Sequence, residues 1–177
     1  MLNGGRVVFT NDQHFGIGPN LLLPGRGKDM GDGWETKRSR QPNHFDWVVV
    51  RLGEPGVLSY IEVDTIHFLG NFPESFVLDG CNFQGPGDIP PEHHDLKSAQ
   101  WTPLVSRTKL GPGKQHYFEI EKSSRDKVFT HVRLTIFPDG GIKRLRIIGR
   151  RAKALEAAGI TSDAQRADLP TVPLPSA

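Results

Sequence analysis

Phe129-Thr130-His131-Val132-Arg133-Leu134-Thr135-Ile136-Phe137-Pro138-Asp139-Gly140-Gly141-Ile142-Lys143-Arg144-Leu145-Arg146-Ile147-Ile148 alternates apolar and polar residues on both sides of a Pro-Asp-Gly-Gly block. Alternation at period two marks strands, because successive side chains point to opposite faces. The Pro138–Gly141 block reads as a hairpin turn. Val132, Leu134 and Ile136 share one face; His131, Arg133 and Thr135 share the other. Leu145 and Ile147 point inward, and Arg144 and Arg146 outward. The expected hairpin therefore has one apolar and one cationic face.

The same pattern continues toward the N-terminus. Arg6–Thr10 is a short strand. Asp46–Leu52 is nearly all apolar and reads as a central one. Gly53-Glu54-Pro55-Gly56 reads as a turn before a long strand from Val57 to Phe68. Asn71-Phe72-Pro73 interrupts, and Ser75–Gly80 resumes as strand. A Gly- and Pro-rich loop spans Gln84–Pro91. Trp101–Leu110 and Gln115–Glu121 read as a pair around Gly111-Pro112-Gly113. About eight strands without intervening helices argue for an all-β protein, a β-sandwich or jelly roll. Only Arg151–Ala158 looks helical, and Asp168–Ala177, with its prolines, reads as a flexible extension. The expected organisation is one β-domain over residues 1–150, then a short C-terminal helix and a Pro-rich tail over 151–177.

Composition agrees with one such domain. The chain has 177 residues, 36% hydrophobic and 24% charged, with 20 glycines and 14 prolines. That length suits a single core. No apolar run approaches the ~18 residues of a membrane span, so no membrane partner is expected. Residues 1–10 lack the apolar region of a secretory leader. The net charge is +2, with mixed signs along the chain. The basic stretch from Lys143 to Lys153 reads as a solvated face, so nucleic acid is not expected as a partner. Cys81 is the one cysteine. It cannot close an internal disulfide, so a reducing, cytoplasmic compartment is expected, and it reads as a packed thiol.

Three polar clusters carry the candidate chemistry. Met30-Gly31-Asp32-Gly33-Trp34-Glu35-Thr36-Lys37-Arg38-Ser39-Arg40 mixes carboxylates, cations and a tryptophan in a loop. Arginines two apart suit a fork-like grip on a carboxylate; a solvated loop with weak local ion pairs is the simpler reading. Asp64-Thr65-Ile66-His67, followed by Asn71, lies near a strand end, where His67 is suited to acid–base work or to a hydrogen bond closing the strand. Glu62 and Asp64 point the same way and need a cation, a shared proton or water between them. His131 and Arg133 form the third cluster, an anion site or a polar face. His93-His94-Asp95 shows no metal-ligand spacing. Gly25-Arg26-Gly27-Lys28 is not a phosphate loop.

The segment Gly31-Asp32-Gly33-Trp34-Glu35-Thr36-Lys37-Arg38-Ser39-Arg40 resembles the signature of the allantoicase family. Asp46–Gly53, Val63–Pro73 and Thr130–Gly141 agree in order, and the likeness covers about Gly4 to Gly149. The resemblance implies a jelly-roll β-sandwich of galactose-binding-domain-like type. It implies hydrolysis of allantoate to ureidoglycolate and urea in allantoin (purine) degradation. Family members carry two such repeats, and this chain is similar to the second, C-terminal one. A homo-oligomer or a partner repeat would then complete it.

For that reaction the candidate catalytic residues are Glu35 or Asp32 as general base and His67 or His131 as acid. Asp64 would orient His67 or bind a metal. Arg38 and Arg40 would hold the substrate carboxylate, with Arg133 as a second candidate and Trp34 and Asn71 as further binding residues. Such donors are compatible with a divalent metal, Mn or Zn, but no spacing demands a cofactor. The competing classes are a non-catalytic sandwich that binds a small polar ligand and, as the resemblance implies, an inactive half of a two-repeat allantoicase, because fold alone does not decide function. The enzymatic reading expects these scattered residues to gather in one cleft.

Overall fold

The computed structural model describes residues 3–94 and 101–175. Asp95, the last member of the His-His-Asp stretch, lies outside the described residues. The strands are β1 (Arg6–Thr10), β2 (Trp34–Glu35), β3 (Asp46–Asp64), β4 (Ser75–Cys81), β5 (Thr102–Lys109), β6 (Gln115–Glu119), β7 (Val128–Phe137), β8 (Gly141–Ile142) and β9 (Arg144–Arg151). The fold is a β-sandwich, as expected.

The long β3 organises it. Its first half pairs with β1 and β7, and its second half with β9 and β6. The layer β1-β3-β7-β4-β5 thus joins a second layer through one bent strand. Gly53-Glu54-Pro55-Gly56, expected as a turn, is the bend inside this strand. The register of β3 against β7 shifts between Arg51 and Gly56. Strands that pass from one sheet to the other do so through such irregularities. Gly56 sits at the corner, opposite both Phe129 and Arg151.

Two expected hairpins do not form. β5 pairs with β4, whereas β6 pairs with β3. β7 pairs with β3 and β4, whereas β9 pairs with β3 and β8 with β2. In both cases the connection crosses between layers. At the first crossing the Thr65 hydroxyl donates to the Gly111 carbonyl at 2.6 Å, and Gly111 N–H donates to His116 Nε2 at 2.9 Å. At the second, Gly140 N–H donates to Thr36 Oγ1 at 3.1 Å, and Gly141 N–H to the Asn71 carbonyl at 2.8 Å. Thr65, Thr36 and Asn71, all distant in sequence, help hold these turns, so turn chemistry alone misreads them.

Val48, Val50, Ile61, Val63, Phe76, Leu78, Leu104, Val132, Leu134, Ile136 and Leu145 fill the space between the layers. The expected cationic face of β7 is not solvated. His131 and Arg133 are 2% exposed and Thr135 is fully buried. Phe9, Trp47, Phe83, Ile89 and Trp101 cover that face together with Val49 and Cys81. The outward arginines of β9 are also satisfied internally. Register sets Arg146 opposite Glu62 and Arg144 opposite Asp64, but the cation bound to Asp64 is Arg26, and Glu62 accepts from the Gln115 side chain.

After β9 the chain forms α1 (Ala152–Ala157), close to the expected helix, with Leu155 buried. A second short helix, α2 (Asp163–Ala167), was not expected. A capping box starts it, with Ser162 accepting from Gln165 N–H and the Gln165 side chain accepting from Ser162 N–H.

Gly141 tests how tightly the second crossing is packed. A Cβ there would lie 1.9 Å from a ring carbon of Phe68. Overpacking of this kind costs roughly 1–3 kcal/mol. Gly141→Ala is expected to lower the urea midpoint accordingly, with the slope of the transition unchanged.

Candidate active site

Trp34, Glu35 and Thr36 alternate in direction, and that alternation builds the site. Trp34 is fully buried, and its Nε1–H donates to the Asp12 carbonyl at 2.9 Å. Thr36 is buried against Gly140. Glu35, between them, faces a cavity of about 550 Å³. Its floor and walls come from β2, the 70–74 loop, the end of β5 and the Pro138–Gly140 crossing. Asn71 Nδ2 donates to Glu35 Oε1 at 2.6 Å. Arg38, Lys109, Glu74 and Asp139 also line the cavity, and Phe15 stands at its rim. A carboxylate held by an amide, with two cations nearby, is suited to accept a proton from water while an anionic ligand is held.

Of the sequence-derived candidates, the structure brings Glu35, Arg38 and Asn71 together in this cavity. Arg40 borders an adjacent hollow that shares Arg38. The others lie elsewhere. Asp32 is ion-paired to Lys143 and, at 2.8 Å, to Arg144. Asp64 is fully buried and accepts two bonds from Arg26, at 2.7 and 2.9 Å, and one from Ile66 N–H. The hydrogen bond to Asp64 holds the Arg26 guanidinium above its ordinary pKa, against partial burial. Both carboxylates are tied into ion pairs, and neither lines the cavity. Trp34 is core. His67 adopts a left-handed φ of 70°, its Nε2 is buried without a hydrogen-bond partner, and it does not line the cavity.

His131 and Arg133 sit on the far, covered face of the larger layer. Arg133 donates to Asp79 at 2.9 Å and to the His94 carbonyl at 3.2 Å, and stacks 4.5 Å from the Trp101 ring. Burial raises the Asp79 pKa, while Arg133 pulls it down. Burial, and then the positive Arg51, push His131 down to about 4. His131 is therefore a neutral, packed imidazole at physiological pH. Cys81 is buried, and its thiol pKa is raised by desolvation.

Sequence reasoning missed Glu74, Lys109 and Asp139. Lys109 reaches the cavity because β4 and β5 pair Ser75 with Lys109, a long-range register that no local pattern announces. Asp139 stood in the quoted turn but was read only as turn chemistry; its Oδ2 accepts from Ser39 N–H at 2.8 Å. Among the described residues no group of three or more His, Cys, Asp or Glu side chains is placed to hold a metal ion. No helix among them is long and apolar enough to cross a membrane.

The allantoicase repeat model matches residues 1–152. The chain belongs to the allantoicase family. It is 48% identical over 150 residues to the allantoicase of Neurospora crassa, covering 85% of this chain and 40% of that protein. The crystal structure of Saccharomyces cerevisiae allantoicase superposes with a TM-score of 0.70 at 48% identity, covering 84% of this chain and 41% of that one. A CBM32 module from a Clostridium perfringens family 31 glycoside hydrolase shares the fold alone, with a TM-score of 0.60 at 8% identity over 83% of this chain and 92% of that one. This allantoicase-family chain therefore spans about two fifths of the length of the allantoicases it matches.

The depressed His131 fixes an acid-stability signature. Its folded pKa lies below its unfolded value, so between pH 6.5 and about 4 the unfolded chain binds the extra proton. Its stabilising contribution is full above pH 6.5 and is lost as pH falls through that window. The limiting slope is about 1.4 kcal/mol per pH unit. His131→Gln is expected to flatten stability between pH 6.5 and 4 in urea titrations; an unchanged slope would remove His131 as its source.

Proposed function

We propose that this chain takes part in hydrolysis of allantoate to ureidoglycolate and urea, in allantoin (purine) degradation. Family membership supports the substrate class, and the Glu35–Asn71 contact beside Arg38 supports the site. Allantoate carries one carboxylate and two ureido groups on a single carbon. Arg38, with Arg40 from the adjacent hollow, holds the carboxylate, because a guanidinium fork matches its planar oxygens. Glu35 takes a proton from water as the water oxygen bonds to that carbon, and returns it to the departing urea nitrogen as the C–N bond breaks. Asn71 keeps Glu35 oriented through its N–H. Neither His67 nor His131 lines the cavity, so we assign the leaving-group proton to neither. Asp32, Asp64, Arg133 and Trp34 serve by positioning backbone. The chain holds one cysteine, Cys81, which can close no disulfide within it, and this supports placement in a reducing, cytoplasmic compartment.

General-base help is worth about 10²–10⁴-fold. Glu35→Gln is expected to lower urea release from allantoate by at least about a hundredfold at unchanged thermal stability. Wild-type turnover in that variant would remove Glu35 from the chemistry.

A second reading concerns assembly. Phe15 and Leu69 are 67% and 70% exposed, and Met30, within reach of the Asn71 side chain, is 44% exposed. Apolar side chains of this size at the rim of a polar cavity mark a contact surface. A second copy of the chain, or a partner repeat, covers that rim in the working enzyme. Light scattering is expected to give at least a dimer for wild type and a smaller species for Phe15→Ser/Leu69→Ser. A wild-type monomer that hydrolyses allantoate would sink this reading.

A further inference from the structure

The hollow next to the Glu35 cavity has a volume of about 410 Å³ and shares Arg38 with it. Asn11, Arg40, His44 and Asp46 border it. Asp46 begins β3 and its side chain is 2% exposed. Asn11 Nδ2 donates to Asp46 Oδ1 at 2.8 Å, and His44 Nε2 lies 3.2 Å from the same oxygen. Asp46 Oδ2 is buried with no hydrogen-bond partner. A buried carboxylate oxygen without a donor is destabilising, so this oxygen calls for an N–H from elsewhere. His44 is the exposed member of the pair, with 24% of its side chain accessible.

From this geometry we infer that the Asp46–His44 hollow is a second ligand subsite, which takes a planar ureido arm. The inference rests on the allantoate reading above and extends it. A ureido group presents N–H donors beside a carbonyl acceptor. Asp46 supplies the complementary acceptor, and His44 the adaptable donor or acceptor. Arg38 stands where the two cavities meet, so a carboxylate held there directs one arm toward Glu35 and Asn71 and the other toward Asp46 and His44. The two hollows then read the whole of a ligand with two ureido groups on one carbon. A ligand with one such arm fills only the Glu35 side.

The test uses Glu35→Gln as parent, so that allantoate stays intact, and calorimetry with allantoate and with N-carbamoylglycine, which keeps the carboxylate and one arm. Adding Asp46→Asn or His44→Gln is expected to weaken allantoate binding tenfold or more. Affinity for N-carbamoylglycine should change less than twofold. The His44 ring resonances should move with allantoate and not with N-carbamoylglycine. His44→Gln, at a partly exposed position, keeps the test decisive if Asp46→Asn does not fold. Equal losses for both ligands, or no loss for allantoate, overturn the second subsite alone. A parent that binds neither ligand overturns the allantoate reading and the subsite with it.

Discussion

Two neighbouring cations, Lys143 and Arg144, have side chains at most 1% exposed, and the shape of the site depends on how they are neutralised. Burying an unpaired charge costs several kcal/mol per ion. The segment ahead of β2 meets that demand. Asp32 pairs with both cations, the Asp29 carbonyl accepts from Lys143, and the carbonyls of Gly25 and Asp32 accept from Arg144. Burial still pulls both cations below their ordinary pKa values. Once that segment is bound to β9, β2 pairs with β8 in one register, Trp34 opposite Ile142 and Glu35 opposite Gly141. Trp34 must then enter the core and Glu35 must face the cavity, because adjacent strand residues point oppositely.

A division of labour among ionic residues follows. Asp32, Asp64, Asp79 and Arg133 are used up in holding loops to strands. Removing one partner of such a pair is costly because the other charge stays buried. The ionic residues left facing the cavity, Glu35, Arg38, Glu74, Lys109 and Asp139, come from strand ends and loops, whose placement the buried pairs make rigid. The bent β3 contributes to both sides of this division. Its start carries Asp46 beside the second hollow, its end carries Asp64 under Arg26, and its middle joins the layers. Sandwiches of this type take ligands at loops on a rigid frame, and here the frame is secured partly by charge.

How far the sequence could be read depended on the range of the interaction. Period-two alternation identified the inward faces of β7, β9 and the second half of β3 because it is a property of adjacent residues. The Pro138–Gly141 block was read as a hairpin because turn chemistry is local, yet β7 and β9 never pair. Whether two strands share a layer is decided by the whole core. The cationic face of β7 looked solvated because nothing nearby in sequence showed that Ile89, Phe83 and Trp101 would cover it. The helix α2 was within reach. Its Ser162-Asp163-Ala164-Gln165 start is a capping-box pattern, overlooked because the segment lacks an apolar periodicity. At the site, Glu35, Arg38 and Asn71 were found through the motif, whereas Glu74 and Lys109 depend on the pairing of β4 with β5.

The order of residues alone determined an all-β chain, its inward-facing positions and the family to which its motifs belong, since those rest on side-chain period and on short, contiguous patterns. Only the tertiary structure decided which charged groups face the cavity and which face each other. Ionic side chains are chemically alike wherever they occur. Their part is set by the partners and the desolvation they meet after folding, and those are properties of the assembled layers rather than of any stretch of chain.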